Sequence, residues 1–233
     1  MTQQTPTPSD LHTGLSRQLE ALEEKLAAGE RLGGWKVGLT SGRARDSMGA
    51  GFRPFGYVLE SRIFASGARI GLDTFESVGV ENECCFTMAR ELAGEVSRDD
   101  VIDAVEGVAP GFEINERRLP PDAPAQERLA DDLSQWGIVA GTLRSISEID
   151  FESLVVTLSR DGEAVETVAA RGHIEDHFAS IAALAAQLSQ FGRTLRPGQR
   201  VITGSFGRCP VTEPSGWSGD FGAGLGVVEV VFT

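Results

Sequence analysis

The feature that most constrains this chain is the run Val78 to Met88, VGVENECCFTM, where two carboxylates stand two residues apart in an otherwise apolar stretch. In a strand, residues i and i+2 point to the same side. Val78, Val80, Asn82, Cys84, Phe86 and Met88 therefore share one face, and Glu81, Glu83, Cys85 and Thr87 share the other. Two anions are forced together. Such a pair is costly in a buried strand unless something positive meets it, and a hard divalent cation with oxygen ligands is the simplest partner. The plainer alternative is a solvated strand face.

A chain of 233 residues suits one large domain. We expect residues 1–10 to form a loose tail and residues 11–233 a single catalytic domain with an N-terminal helix. The balance of 21 basic against 34 acidic residues gives a net charge of -13. That argues against nucleic acid or an anionic membrane as partner, and an anionic substrate would need a local cation to hold it. No run approaches the ~18 apolar residues of a membrane-spanning helix, and Met1 to Asp10 lacks the basic and apolar regions of a signal peptide. A cytoplasmic location is expected. The three cysteines, Cys84, Cys85 and Cys209, fit neither a disulfide framework nor a zinc spacing.

Leu15, Leu19, Leu22 and Leu26 make an apolar stripe at helical spacing, ended by Gly29. This helix should pack on the body or on a second subunit, so a homo-oligomer is expected. Strands are predicted near Trp35 to Leu39, Tyr57 to Leu59, Arg62 to Ala65, Val78 to Met88 and Gly111 to Glu116. Ser97 and Asp100 read as a capping box opening a helix to about Val108. Further strands are predicted at Trp136 to Gly141, at Leu154 to Arg160 turning through Asp161-Gly162 into Ala164 to Ala169, at Arg200 to Thr203 and at Gly226 to Phe232. A second good helix runs from about Asp176 to Phe191. Strands outnumber helices without strict alternation, which argues for an α+β fold with mixed or antiparallel sheets.

Of the 21 basic residues only Lys25 and Lys36 are lysines. Lys25 lies on the amphipathic helix. Lys36 stands between Trp35 and Val37, an apolar setting in which the ammonium pKa should fall. Arginine holds its proton near neutral pH while a partly buried lysine can release it, so Lys36 is a candidate general acid/base; the alternative is a packed stem with a solvated head. Glu113, on the strand after the capped helix, can join Glu81 and Glu83 if the two strands are neighbours. Three carboxylates with open positions suit Mg²⁺ or Mn²⁺. Glu116 points the other way, toward Arg117 or Arg118. His173 and His177 are four apart, but the helix should start near Asp176, so a zinc site there is not expected.

The ordered segments Gly34-Trp35-Lys36-Val37-Gly38-Leu39-Thr40-Ser41, Val80-Glu81-Asn82-Glu83, Pro110-Gly111-Phe112-Glu113-Ile114, Ala130-Asp131-Asp132-Leu133-Ser134, Leu195 to Gly198 with Val201 to Ser205, and Gly224-Leu225-Gly226 resemble the 2-keto-4-pentenoate hydratase and 4-oxalocrotonate decarboxylase family of the fumarylacetoacetate hydrolase superfamily. The similarity runs from about Leu32 to Phe232. It implies an α+β fold, a mixed β-sheet roll of the fumarylacetoacetate hydrolase C-terminal type with a few flanking helices. It implies Glu81, Glu83 and Glu113 as ligands of Mg²⁺ or Mn²⁺, Lys36 in proton transfer, and Thr40, Ser41, Asp131, Asp132, Ser134, Thr203 and Ser205 at the substrate. Trp35 stands where relatives often have arginine, Asp132 where they have asparagine, and Asn82 where a small or apolar residue is usual. The segment Arg53-Pro54-Phe55-Gly56-Tyr57 lacks the family's aspartate.

A 2-oxo acid can chelate one divalent ion through its carboxylate and adjacent carbonyl, which stabilises an enolate. The implied activity is a lyase: a hydratase converting a 2-hydroxy-2,4-dienoate, through a ketonised form, to a 4-hydroxy-2-oxo acid in aromatic catabolism. A 4-oxalocrotonate-type decarboxylase or a C–C hydrolase would use the same ligands. A weakly active partner subunit is the alternative of another class.

Overall fold

The computed structural model describes residues 6–233. Of the expected tail, residues 1–5 lie outside the described residues, whereas Pro8 to Asp10 form the first turn of helix α1 (Pro8–Ala27). The helix starts that early because Thr7 and Asp10 form a reciprocal capping box and Pro8 occupies the first turn. Leu11, Leu15, Leu19 and Leu22 are buried within the chain, and α1 packs on helix α3 (Ala125–Ala130) and strand β2 (Phe55–Leu59). The leucine stripe is thus satisfied internally and gives no reason for a second subunit.

Two sheets carry the rest. The larger has the order β2-β1-β10-β5-β6-β7-β3, with β11 also pairing β5; these are β1 (Leu32–Val37), β3 (Ile63–Ala65), β5 (Val78–Met88), β6 (Val105–Glu116), β7 (Gln135–Ala140), β10 (Arg200–Thr203) and β11 (Arg208–Val211). The smaller has the order β4-β13-β12-β8-β9, from β4 (Ala68–Ile70), β8 (Val155–Arg160), β9 (Glu163–Ala169), β12 (Ser215–Asp220) and β13 (Val227–Phe232). Both sheets mix parallel and antiparallel pairs, as an α+β roll requires. Helices α2 (Arg98–Ala104), α4 (His177–Ser189) and the short α5 (Gly222–Leu225) complete the described elements.

The predicted helix to Val108 is corrected: α2 stops at Ala104, and β6 begins at once and runs through Pro110. Pro110 is tolerated because its carbonyl accepts from Gly141 N–H, on the side where β7 ends. The N–H it lacks would face that same side, so the ladder to β5 loses nothing. Alternation along the central strands divides the sheet. Val80, Phe86 and Phe112 enter the main apolar cluster with Leu158, Trp217, Val228 and Val230 of the smaller sheet, while Cys85, Ile138 and Ile202 belong to a separate small cluster. The second face is the one that carries the carboxylates.

Candidate metal and substrate site

The β5–β6 ladder sets Glu81 directly opposite Glu113 and Glu83 opposite Gly111. Directly opposed residues share a face, so all three carboxylates converge, with one ligand oxygen from each within 4.8 Å of the others. Lys36 reaches the same face across β10, since Lys36 pairs with Ile202 and Ile202 with Cys85. Its Nζ donates to Glu113 Oε1 and, at 3.1 Å, to the Leu133 carbonyl. Lys36, Glu83 and Glu113 are only 8%, 4% and 2% exposed.

Burial raises the Glu83 carboxyl well above the usual glutamate range, and the charges of Glu113 and Glu81 raise it further. Glu113 also lies above its ordinary value, because burial outweighs the opposing pull of Lys36. The expectation of a depressed lysine pKa is corrected. Burial does pull the Lys36 ammonium down, but Glu113, Glu81 and Glu83 together more than offset it, and its pKa ends above the ordinary lysine value. Lys36 therefore holds a proton at neutral pH and is equipped as an acid.

The face opens into a cavity of about 420 Å³ lined by Lys36, the three glutamates, Thr40, Ser41, Ser134 and Ser205, among others. These side chains are brought together as expected. Thr40 also accepts from the Gly204 N–H at 3.0 Å, which ties the loop after β1 to the loop after β10. Three expected substrate contacts do not line the cavity. Asp131 faces elsewhere, ion-paired with Arg118 at 2.8 Å. Thr203 is fully buried within β10, between β1 and β5. Asp132 lies beneath the site, where its Oδ1 accepts from Tyr57 N–H at 2.8 Å and from Gln18 Nε2 at 2.9 Å.

Asp132 has a positional role that the sequence did not disclose. Asp132, Leu133 and Ser134 all adopt left-handed backbone, with φ of 57°, 52° and 63°. Each such residue costs on the order of 1–3 kcal/mol and persists only where its surroundings over-determine it. The bonds to Tyr57 and Gln18 pin this turn, which aims the Leu133 carbonyl at Lys36 and puts Ser134 into the cavity. Gly56 makes the approach possible: a Cβ there would lie 3.0 Å from Asp132 Oδ1 and 3.2 Å from Lys36 Cγ. No sequence signal marks a backbone carbonyl or a three-residue left-handed turn without glycine. Arg208 was also missed. It sits 3.3 Å from Glu81 on the edge of the site, on a four-residue strand whose proline hides it from a pattern reading.

At the position of the absent aspartate the chain offers no carboxylate. Phe55 is fully buried, edge-on to Trp35 and Phe191 with ring centroids at 5.6 and 6.0 Å. Glu116 pairs with Arg118 at 3.1 Å, and Lys25 is exposed. Asp176 caps α4, so His177 begins the helix and His173 lies outside it.

The donor set fits a hard divalent cation. Three carboxylates face two compensating cations, Lys36 and the half-exposed Arg208, and the buried Glu83 Oε2 has no hydrogen-bond partner. A buried carboxylate oxygen with nothing to accept from is costly, and an oxygen-seeking ion relieves it.

Residues 39–223 match the fumarylacetoacetate (FAA) hydrolase C-terminal family. The chain belongs to that family. Among its relatives, 2-hydroxyhexa-2,4-dienoate hydratase of Comamonas testosteroni is 29% identical over 80% of this chain and 73% of its own length. The 2-oxo-hept-4-ene-1,7-dioate hydratase of Escherichia coli is 30% identical over 82% and 75%. The structure of 4-oxalocrotonate decarboxylase from Pseudomonas putida G7, complexed with magnesium and adipate, superposes with a TM-score of 0.88 at 25% identity, covering 96% of this chain and 86% of the other. This family member thus has the mixed-sheet fold of its relatives, among which hydro-lyases recur.

Proposed function

We propose that this chain is a divalent-metal-dependent hydro-lyase that adds water to a 2-hydroxy-2,4-dienoate, giving a 4-hydroxy-2-oxo acid in aromatic catabolism. The observation that carries the reading is the convergence of Glu81, Glu83, Glu113 and Lys36 on one cavity wall. Those three glutamates would hold the ion, Mg²⁺ or Mn²⁺, since an all-carboxylate set suits a hard divalent cation. The bound ion supplies chelation of the substrate carboxylate and its 2-oxygen, offsetting the field of the -13 protein.

The residues themselves do the rest. Lys36 Nζ, held by Glu113 and the Leu133 carbonyl, is a positioned proton donor. A bound ion would compete for the same carboxylates and so would weaken their hold on the Lys36 proton. Delivery of that proton to the far carbon of the dienol, with loss of the 2-hydroxyl proton, gives the 2-oxo-3-enoate. Water then adds at C4 and a proton at C3. Thr40, Ser41, Ser134 and Ser205 supply hydroxyls around the substrate. A cytoplasmic location belongs to the same reading. No described helix is long and apolar enough to cross a membrane.

A second reading, decarboxylation of a 3-enoate, is favoured by the superposition with 4-oxalocrotonate decarboxylase. Assays on 2-hydroxy-dienoates and 3-enoate diacids with Mg²⁺, following diene absorbance and CO₂ release in parallel, separate the two. Loss of absorbance without CO₂ is expected, and CO₂ release would overturn the hydratase assignment. Lys36→Arg should lower kcat by roughly 10² to 10⁴, as for loss of a general acid/base. A change confined to KM would reduce Lys36 to a charge anchor.

A further inference from the structure

One partly buried charge on the cavity is unaccounted for. Arg128, on α3, lines the same cavity as the three glutamates, together with Arg117, Leu119 and Pro120 from the segment after β6. Its Nε is buried without a hydrogen-bond partner, and Arg128 makes no ion pair among the described residues. The acids nearest to it in sequence are engaged elsewhere: Glu127 with Arg17 at 2.8 Å and Asp131 with Arg118 at 2.8 Å. Burial pulls the Arg128 guanidinium below its usual value, with no anion opposing the shift. In a chain with 34 acidic residues, an unpaired and partly buried arginine beside a substrate cavity is an unmet demand for an anion.

The glutamates and Lys36 already provide for one end of a 2-oxo acid. We propose that Arg128, seconded by Arg117, receives a second carboxylate at the far end of the substrate, so that the enzyme selects dienedioates over monoacids. The inference rests on the hydratase reading for the orientation of the substrate. A guanidinium presents paired donors in a plane that matches a carboxylate. Arg117 is exposed and has no ion-pair partner of its own among the described residues, so it can swing to a longer or shorter chain.

The test compares two probes of equal length, adipate and hexanoate, titrated calorimetrically into the Mg²⁺-loaded protein and into Arg128→Gln, a substitution that keeps helix propensity. Adipate should bind the wild type about tenfold or more tightly than hexanoate, the scale of one charge-assisted contact. Arg128→Gln should erase that preference while leaving hexanoate affinity unchanged and thermal stability no lower than the wild type's. Equal affinities in the wild type, or a variant that weakens both probes alike, would overturn the proposal. Turnover of a 2-hydroxy-dienoate and of its dioic analogue is measured alongside, with the variant expected to raise KM for the diacid only. If neither compound turns over but the adipate preference holds, the hydratase reading fails and the anion subsite stands. If the monoacid turns over and adipate has no advantage, the subsite alone fails.

Discussion

Glu83 and His177 make an instructive pair. Both are almost fully buried, and each carries polar atoms without a partner: Oε2 of the glutamate and both ring nitrogens of the histidine. Burial drives both toward neutrality, raising Glu83 well above its ordinary range and lowering His177 to about 4 against the weaker pulls of Asp176 and the Thr203 backbone. Their company separates them. Glu83 stands among two further carboxylates on a cavity wall. His177 lies among aromatic rings, with Phe86, Phe151 and Phe206 at 5.5, 5.4 and 6.5 Å between centroids. An unpartnered buried oxygen where like charges converge calls for a cation; among rings an unpartnered nitrogen belongs to a neutral packing group.

The largest effect that could break this contrast comes from Glu83→Gln. If Glu83 is held for a cation, the wild type should gain thermal stability with Mg²⁺, about 2.7 kcal/mol at a hundredfold excess over Kd, and the variant almost none. Turnover should fall by more than the roughly 10- to 100-fold typical of outer-shell partners. The metal-free variant should be the more stable of the two, having lost a desolvated charge. Glu116→Gln serves as the control, and a Mg²⁺ response in Glu83→Gln equal to the wild type's would remove the contrast.

For His177 the sign is opposite in its pH course. Its folded pKa lies below the unfolded value of about 6.5, so the stability it permits is complete above that pH and is lost as pH falls from there toward 4. The loss should reach on the order of 3 kcal/mol. Chemical denaturation of His177→Phe across this window should show a flatter profile, with Mg²⁺ binding unaltered. Superimposable acid profiles would show that His177 is not the titrating group.

Asp132 sharpens the comparison on a smaller scale. It is a buried acid outside the cavity, raised well above the usual aspartate range chiefly by burial. An acid whose folded pKa is raised costs stability as pH climbs past its unfolded value. Asp132→Asn keeps the acceptor that Tyr57 and Gln18 need and removes the charge. It should gain stability at neutral pH, with kcat little changed. A loss of stability would mean that the carboxylate itself holds the turn.

The contrast also shows where sequence is readable. The span of β5 and the face of Glu81 and Glu83 followed from period-two alternation, and the helix at Ser97 from its capping box. Glu113 was readable as a third carboxylate of the cluster once its strand was assumed to neighbour β5. The missed helix α3 has no side-chain cap and six residues, and strands β4, β11 and β12 are short or rich in glycine, serine and proline, so propensity gave little purchase. Arg128 and Leu133 act through an unmet charge and a backbone carbonyl, which only a folded chain exposes. The pKa of Lys36 was misjudged because burial could be read from its neighbours in sequence, but the three acids beside it could not.

The position of β10 has a consequence for the order in which this protein becomes active. Lys36 and the three glutamates all belong to the first half of the chain, yet the strip that holds β1 in line with β5 is Arg200–Thr203. During synthesis the lysine and the acids emerge early and stay unaligned until that late strand slides between them, a pairing of long sequence separation and slow closure. A chain that stops short of Arg200 therefore carries the lysine and the three acids without the strand that aligns β1 with β5, and it should be inactive.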